Sequence, residues 1–333
     1  MRHWKDDPAV EIRFIAIDPE IPGWLGRLRH VPYIRTILRT PIYVCTLWNG
    51  IKDRDIVHIF SAAYWSFLVA VVPAWLVGRL LRKPTLIHYH SGEARDHLRR
   101  WRSAVSVLGR AERLVVPSQY LVDVFLEFGL NASVVPNIVP CDEFRYRRRE
   151  PLGAVLLCTR HFEPYYGVDL VVRAFARIKK EFPAASLCLV GKGSQEKEIR
   201  ALVRQLNLTD VQFVGPVAHR EVSRLYDRAD IFVNASWVDN MPVSILEAYS
   251  SGTPVVSTAP EGIQYIVKHE HTGLLCRPGD WQQLAENTLR LLRDPVLAVR
   301  LAHEAHEQSG HYQWAPVRRQ WLQIYSSLYQ ARG

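Results

Sequence analysis

The sequence has few features of a disulfide-stabilised, metal-binding or secreted protein. Its five cysteines are scattered over 333 residues without a C-x-x-C pair, and the first residues, M-R-H-W-K-D-D-P, contain no apolar signal segment. The zinc-binding motif H-E-x-x-H is absent. These absences favour the reducing cytoplasm, and we expect no metal and no other cofactor.

Charge and composition leave three kinds of partner open. The chain is long enough for two domains, 48% hydrophobic and 23% charged, as soluble globular proteins are. Its net charge of +9 suits nucleic acid, an anionic membrane or anionic substrates. Because the sequence has no helix-turn-helix, zinc finger or aromatic-basic RNA-binding motif, we do not expect nucleic acid.

Apolar runs alternate with amphipathic runs along most of the chain, which predicts an α/β fold with parallel sheets. The strand candidates are residues 9–17, 55–60, 84–90, 112–116, 131–136, 152–159, 211–215, 230–235, 254–257 and 272–276. A charge run, R-Y-R-R-R-E-P, separates the two halves and predicts a domain boundary near residue 150. Val317, Trp321, Ile324, Tyr325 and Leu328 recur at helical spacing and predict a last helix with one packed face.

Residues 61–77 are uncharged and almost entirely apolar. Together with residues 55–60 they approach the ~20 residues that span a bilayer. Pro73 interrupts the run, and the next strand candidate follows at βαβ spacing. We therefore predict a helix buried against a parallel sheet rather than a membrane span.

The stretch D-N-M-P-V-S-I-L-E-A-Y-S-S-G, residues 239–252, lies between two strand candidates. Pro242 suits the first position of a helix and Gly252 a left-handed end, which predicts a helix over residues 241–251. At helical spacing Glu247 lies opposite the apolar side of this helix, so by itself it is interpreted as a solvated carboxylate. That apolar side consists of Pro242, Ile245, Leu246 and Tyr249.

Two acids with seven residues between them, followed by A-Y-S-S-G-T-P-V-V-S-T, resemble the donor-sugar motif of glycosyltransferase family 4, whose members have the GT-B fold. The resemblance continues through L-Y-D-R-A-D-I-F-V-N-A-S-W, E-G-I-Q-Y-I-V and T-G-L-L-C-R-P-G-D, and earlier through V-V-P-S and V-V-P-N. It is strong over residues 151–293 and looser over 55–150. It implies two Rossmann-like domains facing a central cleft. Residues 1–150 would form the acceptor-side domain and residues 151–310 the nucleotide-sugar domain, and a helix over residues 311–333 would return to the first domain.

The resemblance also implies roles for residues of this stretch. Asp239 would face the transferred sugar, Glu247 would bind the ribose hydroxyls, and the backbone around Asn240, Met241 and Pro242 would meet sugar and phosphate. Two departures are an aspartate where most relatives have glutamate, and Asn240 where glycine is usual.

The turn R-H-F-E-P-Y-Y-G resembles the diphosphate-binding turn of the family. Arg160 matches its arginine, but Tyr166 stands before Gly167 where a lysine is usual. A diphosphate leaving group without a metal needs compensating cations. Lys192, in V-G-K-G-S, is a substitute, although an exposed turn lysine is the simpler interpretation.

Two features of the first half have both a functional and a structural interpretation. His90 ends a strand candidate, so it is either a structural histidine or, as the resemblance implies, a residue beside the donor sugar. Residues 95–108 predict one amphipathic helix whose basic face either is solvated or touches an anionic inner membrane surface. The arginines of this region are Arg95, Arg99, Arg100 and Arg102.

The resemblance implies a glycosyltransferase that moves a sugar from a nucleotide diphosphate sugar to the hydroxyl of a glycan or lipid-linked acceptor, with retention of configuration. Members of the family begin with a strand and a glycine-rich donor loop, whereas Met1 here leads into what resembles the second strand. We therefore expect either a late start codon or a missing donor loop. The alternatives are a catalytically impaired scaffold of the same fold and a nucleotide-sugar epimerase.

Overall fold

A computed structural model describes Trp4 and residues 7–19, 32–61 and 63–331. The chain divides into two compact units. The first comprises Met1–Val135 with Arg318–Gly333, and the second comprises Pro136–Val317. Each unit is described separately below.

Within the described residues, the first unit contains a parallel four-stranded sheet in the order β1-β2-β3-β4. The strands are β1 (Val57–Ser61), β2 (Thr85–Tyr89), β3 (Arg113–Val116) and β4 (Ser133–Val134). The helices of this part are α1 (Pro32–Ile51), α2 (Tyr64–Ser66), a π-helical turn (Phe67–Val71), α3 (Val72–Leu80), α4 (Ala94–Arg100), α5 (Arg102–Leu108) and α6 (Gln119–Leu126).

One strand prediction for this unit is wrong. The stretch 9–17 has no regular structure and exposes Ile12 and Phe14. Helix α1 contains Pro41 and continues past it. Ser118 is the N-cap of α6, because its hydroxyl accepts from the Leu121 N–H at 3.3 Å.

The apolar run 61–77 becomes the helical segment 64–80, made of α2, the π-helical turn and α3. Its inner face is buried, as predicted, through side chains such as Phe67, Val71 and Val77. Its outer face is nevertheless apolar and exposed. No helix in the described ranges is long and apolar enough to cross a membrane.

The predicted amphipathic helix over residues 95–108 is two helices. The backbone of Trp101 adopts φ −115° and ψ 79°, which ends α4 and starts α5 in a new direction. Leu98 and Leu108 are buried as predicted. The basic face does not form as one surface, because Arg95 pairs with Glu127 at 2.8 Å.

The second unit, whose residues are all described, contains a parallel six-stranded sheet in the order β10-β9-β8-β5-β6-β7. The strands are β5 (Val155–Thr159), β6 (Ser186–Val190), β7 (Val211–Gly215), β8 (Ile231–Asn234), β9 (Val255–Thr258) and β10 (Leu274–Cys276). The helices are α7 (Val168–Glu181), α8 (Glu196–Gln205), α9 (His219–Arg228), α10 (Val243–Ser251), α11 (Ile263–Ile266), α12 (Trp281–Arg293) and α13 (Pro295–Ser309). Together with the first sheet, these elements confirm the predicted parallel α/β class.

A buried arginine of the charge run R-Y-R-R-R-E-P forms hydrogen bonds with the second unit. Arg149 is 2% exposed, and its guanidinium donates to the carbonyls of Tyr226, Ala229 and Ser251 at 2.7–2.8 Å. These carbonyls lie at the carboxyl ends of α9 and α10, which carry partial negative charge. The compact units divide at Val135–Pro136, so the charge run belongs to the second unit.

The last helix, α14 (Trp314–Gln330), covers a layer of histidines on the first sheet. Strand alternation puts His58, His88 and the following His90 on one face. The Trp321 ring lies 4.8 Å from that of His58, and Tyr325 Oη lies 2.9 Å from His58 Nδ1. Burial lowers the pKa of His58 to about 3 and that of His90 to about 4. Both imidazoles are therefore neutral at pH 7.

This layer predicts a loss of stability in acid. The unfolded chain protonates its histidines near pH 6.5, whereas folded His58 and His90 stay neutral, so stability is full above pH 7 and falls as the pH drops. At pH 5 each of these two histidines lowers the free energy of unfolding by about 2 kcal/mol. His58→Gln, which keeps an acceptor for Tyr325, should reduce the difference in unfolding free energy between pH 7 and pH 5 by about that amount. Urea unfolding measures this.

Val296→Gln, at a position that is 79% exposed and has no titratable side chain, is the control and should keep the wild-type pH dependence. An equal fall in the free energy of unfolding between pH 7 and pH 5 in the wild type and in His58→Gln would contradict the prediction.

Candidate functional site

The strand order creates a crevice at the carboxyl edge of the second sheet. From β5 the chain moves outward to β6 and β7, then returns to place β8 on the other side of β5. The helices that follow β5 and β8 consequently pack on opposite faces: α7 with Leu156 of β5, and α10 with Leu157. Ligands bind open α/β sheets at such a switch point.

Close backbone approaches join the loops at this edge. Gly167 has φ +58°, and a Cβ there would lie 2.3 Å from the Ala235 carbonyl oxygen of the loop after β8. A Cβ on Gly262, after β9, would lie 2.4 Å from the Asp239 carbonyl oxygen. Only glycine fits these positions, so the loops that carry the predicted site residues pack directly on one another.

Two predicted site residues, Arg160 and Asp239, form a buried ion pair. Their side chains are 9% and 13% exposed, and Arg160 Nη2 donates to Asp239 Oδ2. The second guanidinium nitrogen, Nη1, donates to Ser244 Oγ at 3.1 Å, and the Asn240 N–H donates to Asp239 Oδ1 at 2.9 Å. Burial raises the pKa of Asp239, and the Arg160 guanidinium opposes that rise.

Tyr166 lies where the family has a lysine and contacts the same arginine. The Arg160 guanidinium carbon lies 4.0 Å from the centre of the Tyr166 ring, within cation–π range. Burial raises the pKa of the Tyr166 phenol, so the side chain is neutral at pH 7. This position therefore orients Arg160 but adds no positive charge.

The structure does not bring the Lys192 side chain to this pair. Lys192 is exposed in the loop after β6, as the simpler interpretation predicted. Its carbonyl accepts from the Phe162 N–H at 3.0 Å, which joins its loop to the one that carries Arg160.

Helix α10 differs from its prediction at the start and matches at the end. It begins at Val243, and Pro242 precedes it in extended backbone with ψ 118°. Gly252 ends it with φ +68°, as predicted. The solvated interpretation of Glu247 is wrong, since its side chain is 6% exposed. Periodicity missed this because α10 is buried on all sides, between β9 and the helices α9 and α13.

A tyrosine that sequence reasoning did not single out links Glu247 to Arg160. Tyr226 is fully buried, and its hydroxyl donates to the Ser244 carbonyl at 2.8 Å and lies 2.8 Å from Thr159 Oγ1. Burial, and then the neighbouring Glu247 carboxylate within hydrogen-bond reach, raise the pKa of Tyr226. Its motif, L-Y-D-R-A-D, directly before β8, was the signal that could have found it.

The residues between the two acids are buried as well. Asn240 and Met241 are 4% and 6% exposed, and Pro242 is buried. The Met241 carbonyl accepts from Asn137 Nδ2 at 3.0 Å. Asn137 belongs to V-V-P-N, so this early motif supports the loop that carries Asp239.

His90 lies in the first unit, directly after β2. Its N–H donates to the Ser61 carbonyl at 3.2 Å, and its buried Nε2 has no hydrogen-bond partner. Arg160, Asp239 and Glu247 all belong to the second unit. Among the residues that the structure describes, no three His, Cys, Asp or Glu side chains are grouped to hold a metal.

Two parallel-sheet units, with a site at the switch point of the second, define a protein of the GT-B class. Family models agree: "Glycosyl transferases group 1" matches residues 144–308, and "Glycosyltransferase Family 4" matches residues 7–143. The chain therefore belongs to the family 4-like glycosyltransferases, which confirms the resemblance.

Individual relatives share only a low sequence identity with this chain. An exopolysaccharide phosphotransferase of Streptomyces coelicolor is 26% identical over 91% of this chain and 33% of its own length. A phosphatidyl-myo-inositol mannosyltransferase of Mycobacterium leprae is 24% identical over 94% of this chain and 82% of its own. The structure of Anabaena HepE in complex with UDP-glucose has the same fold, with a TM-score of 0.76, 22% identity, and coverage of 86% and 82%. The chain spans 33% to 59% of the length of the first curated relatives it matches.

The ion pair predicts coupled effects on stability. Asp239→Ala leaves the buried Arg160 guanidinium without its partner and should lower the free energy of unfolding by about 3 kcal/mol. Arg160→Met/Asp239→Ala removes both charges and should cost less than the sum of the single variants. Urea denaturation of the four proteins of this cycle measures the coupling.

The exposed pair Glu196–Arg200 is the control, for which the same cycle should give at most about 1 kcal/mol. Additive effects at Arg160 and Asp239 would show that the two side chains do not stabilise each other.

Proposed function

We propose that the protein transfers a glycosyl residue from a nucleotide diphosphate sugar to an acceptor hydroxyl, with retention of configuration. The observation that carries this proposal is the convergence of Arg160, Asp239 and Glu247, through Ser244 and Tyr226, at the switch point of one parallel sheet. The complex of HepE with UDP-glucose supports a nucleotide-sugar donor.

Each residue has a role that its chemistry suits. Glu247 accepts hydrogen bonds from the ribose hydroxyls, and Tyr226 holds its carboxylate in place. Arg160 exchanges Asp239 for the donor diphosphate and stabilises the negative charge that grows as the donor bond breaks. The backbone of Asn240 and Met241 and the start of α7 at Gly167 contact sugar and phosphate.

The reaction needs no nucleophile from the protein. The bond between the anomeric carbon and the diphosphate oxygen breaks while the acceptor oxygen bonds to the same face of that carbon. The acceptor proton passes to the leaving phosphate. Asp239, once released from Arg160, contacts the sugar hydroxyls.

Tyr166 favours a second candidate function, a scaffold that binds the nucleotide without turnover. It puts a neutral ring where the resemblance implies a lysine, which leaves Arg160 without a second arginine or lysine in the turn. A nucleotide-sugar epimerase is the third candidate. The protein is incubated with UDP- and GDP-sugars, and the products are separated by chromatography and identified by NMR. Transfer or hydrolysis indicates a glycosyltransferase, an epimerised donor indicates an epimerase, and an unchanged donor indicates a scaffold.

The acceptor in this proposal is a glycan or a lipid-linked sugar, reached at an anionic inner membrane surface. The mannosyltransferase of M. leprae, whose name states a phosphatidylinositol acceptor, is consistent with it. Of the arginines predicted for membrane contact, Arg99 and Arg102 are exposed, whereas Arg95 and Arg100 pair with Glu127 and Asp96.

Ribose recognition gives a prediction for nucleotide binding. A carboxylate that accepts ribose hydroxyls contributes about 1.5–3 kcal/mol for each bond, so Glu247→Ala should weaken binding of UDP or GDP at least tenfold. Tyr226→Phe should reduce the preference for the nucleotide over its 2′-deoxy analogue. Calorimetry measures both.

Glu198→Ala, at an exposed acid of α8, is the matched control. Unchanged affinity in Glu247→Ala, with the fold intact by circular dichroism, would remove Glu247 from the donor site.

Cation-based catalysis gives a prediction for activity. If Arg160 carries the diphosphate charge, transfer or slow donor hydrolysis should persist in EDTA, and Arg160→Ala should lower kcat about a hundredfold or more. Arg173→Ala, at an exposed arginine of α7, should have no effect. A requirement for added Mn²⁺ would contradict this mechanism.

A further inference from the structure

The outer face of the helical segment 64–80 carries an exposed row of large apolar side chains, here called the apolar stripe. Trp65 and Leu80 at its ends are each 71% exposed, and Leu68 and Leu76 between them are 42% and 47% exposed. Leu76 and Leu80 are four residues apart in α3, so they lie on the same side of that helix. Val72 instead packs against the core of the unit.

The core of the first unit does not require this face. Phe67, Val71, Ala74 and Val77 form the opposite face and pack in the core, each at most 3% exposed. Polar side chains on the outer face would keep that packing and increase solubility. A contiguous apolar surface of this kind marks an interaction site.

Basic side chains without an ion pair lie at the Leu80 end of the stripe, whereas at the Trp65 end Asp96 accepts from the Tyr64 hydroxyl and pairs with Arg100. No aspartate or glutamate occurs from residue 56 to residue 92. Arg79, Arg82 and Lys83 lie at the Leu80 end and form no ion pair with any acid of the described chain. Long basic side chains beside an apolar face can extend to lipid headgroups.

The other end of the stripe meets the arginine-rich helices. The Trp65 ring contacts the Trp101 ring edge-on, with centroids 5.6 Å apart. Trp101 separates α4 from α5, and the exposed Arg99 and Arg102 flank it in sequence. Tryptophan with basic residues around aliphatic side chains is the composition of membrane-interface helices.

We propose that the apolar stripe inserts into the interface of an anionic bilayer, with the helical segment 64–80 lying in the membrane plane. The charge pattern favours anionic lipid over a protein partner, because basic residues at both ends would meet headgroups while the leucines between them enter the acyl boundary. This inference rests on the membrane contact proposed above but not on sugar transfer, since lipid binding is measured without donor or acceptor.

Vesicle flotation of the full chain tests the proposal. Wild-type protein should float with vesicles of phosphatidylcholine and phosphatidylglycerol and remain behind with phosphatidylcholine alone. Leu76→Gln/Leu80→Gln and, separately, Arg79→Gln/Arg82→Gln should each lower the partition coefficient about tenfold. High salt should weaken binding of the wild type, because it screens the basic residues.

Matched controls come from the second unit. Val296→Gln replaces an aliphatic side chain that is 79% exposed, and Arg224→Gln/Arg228→Gln removes two exposed arginines of α9. Both should bind vesicles as the wild type does, and unfolding midpoints should be alike in all five proteins. Equal losses of vesicle binding in the control variants and the stripe variants would overturn the assignment of membrane binding to the stripe.

Depth measurement supplies a second readout. Lipids brominated in the acyl chain quench nearby tryptophan fluorescence, and Trp65→Phe should lower the quenching, while the neighbouring Trp101 retains part of it. Quenching in Trp65→Phe as strong as in the wild type would overturn the proposal. So would a wild-type protein that binds neither vesicle, or one whose stripe variants only convert a dimer to a monomer in sedimentation.

Discussion

The pairing of β5 with β8 is the constraint on which the candidate site depends. Because these parallel strands are neighbours in space but distant in sequence, their following loops leave the sheet toward opposite faces and open a crevice between them. Arg160 follows one strand and Asp239 follows β8, so one strand pairing positions both members of the ion pair. Gly167 and Gly262 then allow the loops to close on each other without side chains between them.

Charge in this crevice is balanced within the protein. Arg160 is held by Asp239, Ser244 and the Tyr166 ring, and Glu247 lies beside the Tyr226 hydroxyl. A buried cation that is already ion-paired costs less desolvation than a free one, so the guanidinium stays ordered in the crevice. Tyr166 adds an aromatic ring to this arrangement but no second positive charge.

The first unit has a different organisation. One face of its sheet holds the neutral histidines under α14, and the outer face of segment 64–80 is apolar with basic ends. Burial without ion partners makes the histidines sensitive to acid, whereas the stripe is exposed and has basic side chains without an ion pair at its Leu80 end. These properties follow from which side of each element faces water.

The sequence by itself determined the α/β class, most strand and helix positions and the membership of the family, because short motifs and local periodicity encode them, and the same motifs pointed to Arg160, Asp239 and Glu247 as candidate site residues. It did not determine that Glu247 is buried or that Tyr226 supports it, since burial on all sides of α10 depends on α9 and α13. The break at Trp101, the pairing of Arg95 with Glu127 and the exposure of Trp65 and Leu80 also came only from the tertiary structure. A periodic pattern shows that a helix has an apolar side, but packing between distant elements decides which apolar side chains remain in contact with solvent.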